Sequence, residues 1–166
     1  MIFDTSSTSF RDGLSGLYSE AYFAEVFQRE WNRMLREQAA LSVIIIHPHL
    51  NVENENDQLS FKLIADAIEG STKRSTDLAC RFHSDEIAVG LFNLDKEGTE
   101  VIVNRIITTI EPQLSELINN VDLSIGALNV QAATNINIDD IFIRAEQLAD
   151  LAERKGKNSF EIDYLH

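Results

Sequence analysis

The chain has 166 residues, 44% of them apolar and spread along its length, enough for one domain with a core of its own and too few for two. Its 27 acidic against 14 basic side chains give a net charge of −13, which disfavours general nucleic-acid binding and adsorption to an anionic membrane. No apolar run approaches the ~20 residues that span a bilayer, so membrane insertion is not expected.

The start, M-I-F-D-T-S-S-T-S, lacks the basic and apolar regions of a secretory leader, and the expected location is the cytoplasm. A single cysteine, Cys80, cannot close an internal disulfide, which agrees with a reducing compartment. It falls in an apolar stretch and reads as a small core residue.

Residues 1–9 are rich in Ser and Thr without an apolar period, and are expected to be a tail or an interdomain linker, with one domain over residues 10–166. From Ser19 to about Gln38, Tyr22, Phe23, Val26, Phe27, Trp31 and Met34 recur at helical spacing, with Ser19 as N-cap. Leu41–Ile46 is a continuous β-branched run that suits a buried central strand. A polar loop, N-V-E-N-E-N-D-Q, leads to a helix over about Leu59–Glu69. Leu78–Phe82 and Ile87–Phe92 form a hairpin across a tight turn at His83-Ser84-Asp85. A helix over Glu97–Ile110, extended to Ile118, precedes a strand over Asp122–Leu128 and a helix from Ile138 to about Arg154. Gly156 then falls where a helix cap is expected, and Ser159–Ile162 reads as a last strand. This order predicts an α/β sandwich with a mixed sheet flanked by helices.

Four stretches in register carry a resemblance to a known family. They are F-R-D-G-L-S-G-L-Y (Phe10–Tyr18), D-L-A-C-R-F-H-S-D-E-I (Asp77–Ile87), L-S-I-G-A (Leu123–Ala127) and A-E-Q-L-A-D-L-A-E-R-K-G-K-N (Ala145–Asn158). Together they resemble the GGDEF, or diguanylate cyclase, domain of bacterial signalling proteins, over roughly residues 10–163. The resemblance implies a fold like the palm of adenylyl cyclases and polymerases, and a site built from the end of the first strand and the hairpin turn.

Against the family's pattern, that site is degenerate. The first metal-binding aspartate corresponds to His47 and its acidic neighbour to His49. The signature glycines correspond to His83 and Ser84, the closing Phe to Ile87, and the triphosphate lysine to Glu153. Asp85 and Glu86 remain, as does a basic residue at Lys157. Imidazole is a poor magnesium ligand, and the lost glycines put side chains where a nucleotide approaches the backbone. The loop after the first strand is short, and Asn51, Asn54, Asn56 and Asp57 match no guanine-binding pair. No cofactor is therefore expected, with Mg²⁺ needed only if residual cyclase activity exists.

The family's product-binding inhibitory site, R-x-x-D with a further arginine from the next helix, is matched by Arg74, Asp77 and Arg105. Arginine reads the O6/N7 edge of guanine and pairs with phosphate. The expected function is cyclic di-GMP binding by a catalytically degenerate signalling module. Its partners would be the dinucleotide and sensory or phosphodiesterase domains of a longer protein, with homodimerisation open. A weakly active cyclase and a nucleotide-free interaction or dimerisation domain are the alternatives, and Arg74 with Asp77 could be a surface ion pair. His47, His49, His83 and Asp85 form a candidate transition-metal set.

Overall fold

A computed structural model describes residues 10–114 and 121–166; the expected tail over 1–9 and the extension towards Ile118 lie outside them. The elements are α1 (Glu20–Glu37), β1 (Ala40–His47), α2 (Glu55–Ser71), β2 (Leu78–Phe82), β3 (Glu86–Phe92), α3 (Lys96–Leu114), β4 (Ser124–Gln131), α4 (Ile138–Lys155) and β5 (Ser159–Leu165). The strands form one five-stranded sheet in the order β2-β3-β1-β4-β5. All neighbours are antiparallel except β4 and β5, which are parallel, so the sheet is mixed.

β1 is apolar from Val43 to Ile46 because helices cover both faces of the sheet. Its alternate side chains split between two cores, as the two-residue strand period requires. Ile44 and Ile46 pack with Phe61, Ile64 and Ile68 of α2 and Val103 and Ile106 of α3. Val43 and Ile45 pack on the other face with Phe23, Phe27, Trp31 and Met34 of α1 and Ile141 and Leu148 of α4. Among the described residues, no helix is long and apolar enough to cross a membrane.

Helix ends follow local chemistry. The Ser19 side chain accepts a hydrogen bond from the Tyr22 amide and starts α1 as expected. α2 begins four residues earlier than its apolar period suggests, because Asn54 accepts from the amides of Asn56 and Asp57 and caps a polar first turn. β4 lies further along than expected, ending at Gln131, because Asn129 is buried rather than a breaker. Its amide donates to Ser42 Oγ (2.8 Å) and to the Leu94 carbonyl (2.9 Å). β5 runs on to Leu165, in parallel register with β4. At the far end of α4, Gly156 closes the helix, its N–H reaching the Glu153 carbonyl.

The segment before α1 lies along the outer edge of β2. Tyr18 exchanges main-chain hydrogen bonds with Ala79 and Arg81, covering an edge that would otherwise be open to another strand. Asp12 locks this segment, accepting from the Ser15 amide and hydroxyl (both 2.8 Å) and from Arg81 Nη1 (3.0 Å).

Candidate functional site

Pairing of Ile46 with Ile87 brings the end of β1 against the hairpin turn, and α4 passes alongside. The turn keeps the backbone shape that glycines would favour. His83 has φ 47° and Ser84 φ 66°, both in the left-handed region. The turn is braced, with the His83 N–H donating to Glu20 Oε1 (2.9 Å) and Arg81 Nε donating to the Ser84 carbonyl (2.6 Å). An L-residue there costs roughly 1–2 kcal/mol. Ser84→Gly is therefore expected to stabilise the fold by about 0.5–1 kcal/mol, the gain being trimmed by unfolded-state entropy. Thermal melts check this, with a rise of about 1–4 °C expected.

His47 ends β1 with Nδ1 3.6 Å from Glu86 Oε2 and Nε2 3.8 Å from Asp85 Oδ2. Burial, then the neighbouring His49, hold its imidazole below the usual histidine value against the pull of Asp85, Glu153 and Glu146. His49 stacks near it, ring centroids 4.0 Å apart, and bonds Ser124 Oγ (2.8 Å) with Glu153 Oε1 at 3.8 Å. His83 goes elsewhere. Its ring stacks on Phe82 (3.9 Å), and its Nδ1 sits 3.8 Å from both Glu86 Oε1 and Glu146 Oε1.

The expected set of His47, His49, His83 and Asp85 thus does not gather as one cluster. The stacking on Phe82 turns His83 towards α4. Among the described residues, the compact donor groups are His47–His49–Glu153, His47–Asp85–Glu86 and His83–Glu86–Glu146.

Glu86 is buried and shared by the last two of these groups. Burial and the carboxyls of Glu146, Asp85 and Asp150 push it up to about 9. Below about pH 4.5, its ordinary value, folded and unfolded chains both hold this proton. Above it the unfolded chain releases the proton and the folded chain keeps it, so stability falls as pH rises towards 9. Glu86→Gln should remove that fall: in chelator-treated protein its melting point should exceed the wild type's at pH 7–8 and match it near pH 4. An identical pH dependence in both proteins would contradict this.

At the opposite end of the hairpin, roughly 16 Å away along five residues of strand, Arg74 and Asp77 lead into β2, and Arg105 lies within α3. The Arg74 amide donates to Asp77 Oδ2 (2.9 Å), while its guanidinium turns away, Nη2 donating to the carbonyls of Phe92 (2.7 Å) and Asn93 (3.4 Å). Among the described residues no side-chain ion pair joins Arg74 and Asp77. Asp77 Oδ1 is buried without a hydrogen-bond partner. Burial raises the Asp77 carboxyl above its usual range, opposed by the Arg74 amide and by the charges of Arg74 and Arg105.

The family model of the diguanylate cyclase GGDEF domain matches residues 9–159. The chain belongs to the GGDEF family. No curated protein matches it in sequence. Among solved structures, the GGDEF domain of FimX from Pseudomonas aeruginosa is similar at 20% identity and TM-score 0.78, over 94% of this chain and 99% of that one. The GGDEF domain of TpbB (YfiN) from the same organism is similar at 22% identity and TM-score 0.76, over 92% and 93%. The coiled coil and GGDEF domain of DgcB from Caulobacter crescentus, in complex with c-di-GMP, gives 12% identity and TM-score 0.80, over 98% and 89%. At these identities the likeness is one of fold.

In this GGDEF domain the residues around His47 fit magnesium poorly. Magnesium wants an octahedron of oxygens, and His47 presents both imidazole nitrogens to the carboxylates of Asp85 and Glu86. Polar side chains after β1 serve the backbone instead, Asn54 as a cap and Asp57 Oδ2 accepting from the Asn51 amide (2.8 Å). Cys80 is buried and burial raises its thiol, as befits a core residue. Glu20 and Glu146 escape a reading of the sequence, because each meets His83 only through the fold.

Proposed function

We propose that this GGDEF domain binds cyclic di-GMP at Arg74, Asp77 and Arg105 and acts as a signalling module that does not make the dinucleotide. The observation that carries the reading is Asp77 Oδ1, a buried acceptor with no partner, on a carboxyl that feels the charges of both Arg74 and Arg105. A guanine offers the matching N1 and N2 donors, and its O6/N7 edge and the phosphates suit guanidinium groups. The pair of arginines places local positive charge on a chain of net charge −13. The DgcB complex supports this choice of ligand for the fold.

Calorimetric titration with cyclic di-GMP tests it. Binding is expected at tens of micromolar protein, weakening with added salt because the ligand is an anion. Arg105→Ala and Asp77→Asn should each weaken it, and Arg74→Ala should cost about 1–3 kcal/mol, as expected for a guanine contact. Arg74→Lys should rescue poorly, because an ammonium lacks the planar fork. His83→Ala should leave binding unchanged. No heat with the wild-type domain, or equal binding by Arg105→Ala and Arg74→Ala, would leave an interaction domain as the better reading.

A further inference from the structure

We propose that His83, Glu86 and Glu146 bind one divalent transition-metal ion, of the Zn²⁺ class, between the hairpin turn and α4. His83 Nδ1 is 3.8 Å from an oxygen of each glutamate, and the three donor atoms all lie within 4.8 Å of one another. A tetrahedral ion with bonds near 2.0–2.2 Å holds its donors about 3.4 Å apart. Closing the set around an ion therefore shortens the two His83 distances by about 0.4 Å and the distance between the glutamates by at most about 1.4 Å.

A second observation points the same way. The oxygens that face His83, Glu86 Oε1 and Glu146 Oε1, are buried and have no hydrogen-bond partner. The Glu86 side chain is only 10% exposed. Two buried carboxyl oxygens with no donor between them are destabilising; a proton held by Glu86 and hydrogen-bonded to Glu146 relieves this, and a divalent cation would satisfy both oxygens in the proton's place. The other Glu86 oxygen faces His47 Nδ1 at 3.6 Å, which orients the carboxylate from behind as outer-shell groups do in metal sites.

The third ligand is preset and reachable. Stacking on Phe82 and the hydrogen bond from its own amide to Glu20 fix the position of His83, whose side chain is 56% exposed. His83 and Glu146 line a cavity of about 560 Å³ between α1 and α4, floored by Phe23, Phe27, Phe82 and Phe142, which gives an ion a way in and room for a water ligand. One imidazole and two carboxylates suit zinc and its first-row neighbours better than magnesium. A glycine at position 83, as in the family signature, would supply no donor. The site stands apart from the dinucleotide reading, being at the other end of the hairpin.

The test is calorimetric titration of Zn²⁺ into the chelator-treated full chain, with Mg²⁺ as the comparison. One Zn²⁺ per chain is expected, with no matching Mg²⁺ binding. His83→Ala and Glu146→Gln should each weaken Zn²⁺ binding by about tenfold or more, at least what loss of an outer-shell group costs. His49→Ala should leave it unchanged, since His49 bonds Ser124 and faces Glu153. Both histidines are partly exposed, so these variants should keep the wild-type circular dichroism, recorded alongside. Absence of Zn²⁺ binding, wild-type affinity in His83→Ala, or loss of binding in His49→Ala would overturn the proposal.

Discussion

Gly126→Ala is expected to lower the melting point by on the order of 10 °C, from a loss of about 3 kcal/mol or more. Gly126 lies in β4 where α4 crosses it. A methyl group there would run into the Ala145 carbonyl oxygen and the Ala149 amide nitrogen, and would lie 2.8 Å from the Leu148 carbonyl carbon. All three are backbone atoms, so no side chain can rotate away. Relief requires lifting α4 off the sheet, which breaks the packing of Ala145, Leu148 and Ala149 in the core. Gly70 gives the contrast. It lies within α2 with nothing within 4 Å of an added methyl, and Gly70→Ala should stabilise the fold by up to about 1 kcal/mol through helix propensity alone. Melts of the two variants followed by circular dichroism should move in opposite directions. A Gly126→Ala melt within about 2 °C of wild type would mean that the helix–strand approach is looser than described.

With GTP and either Mg²⁺ or Mn²⁺, the domain is expected to form no detectable cyclic di-GMP. Phosphoryl transfer depends on charge held in place at the metal and the phosphates. Here an imidazole, His47, stands at the end of β1, its nitrogens directed at Asp85 and Glu86. The turn keeps a glycine-like backbone but carries the His83 and Ser84 side chains over it. Glu153 faces His49 and adds negative charge beside the end of β1, so a polyanion meets repulsion there. Loss of one transition-state-stabilising group costs about 10²–10³ in rate. Three altered groups in one site need not multiply, so the expected loss is at least that of one of them. Product measured by chromatography after overnight incubation, and abolished by Asp85→Ala, would contradict this.

Much of this was legible in the residues because the relevant signals are local. The run Leu41–Ile46 announces a strand covered on both faces, and Ser19 announces a helix start. The tight turn at His83-Ser84-Asp85 follows from two apolar stretches so close together that only a hairpin joins them. Asn54 hid the first turn of α2, because a capping asparagine in a polar stretch looks like any loop residue. Asn129 hid the end of β4, since a buried amide is tolerated only when distant carbonyls and hydroxyls meet it. The grouping of the histidines was misplaced for the same reason. Spacing along the chain puts His47, His49 and His83 at one end of the sheet but does not say which way each ring faces. Glu146 sits beside the buried stripe of α4, and nothing in the helix period marks it as the neighbour of His83.

Arg74 already has an occupation, since its Nη2 closes the end of β3 by holding the Phe92 and Asn93 carbonyls. A ligand that claims that same nitrogen enters an exchange, releasing two main-chain acceptors for each guanidinium edge it gains. Occupancy at this end of the domain would then be written into the fraying of β3, as faster amide exchange around Leu94, whose N–H is tied to Ala40 at the start of β1. The end of β3 and the start of β1 would loosen together, a mechanical signature that dinucleotide binding through Nε and Nη1 alone would not leave.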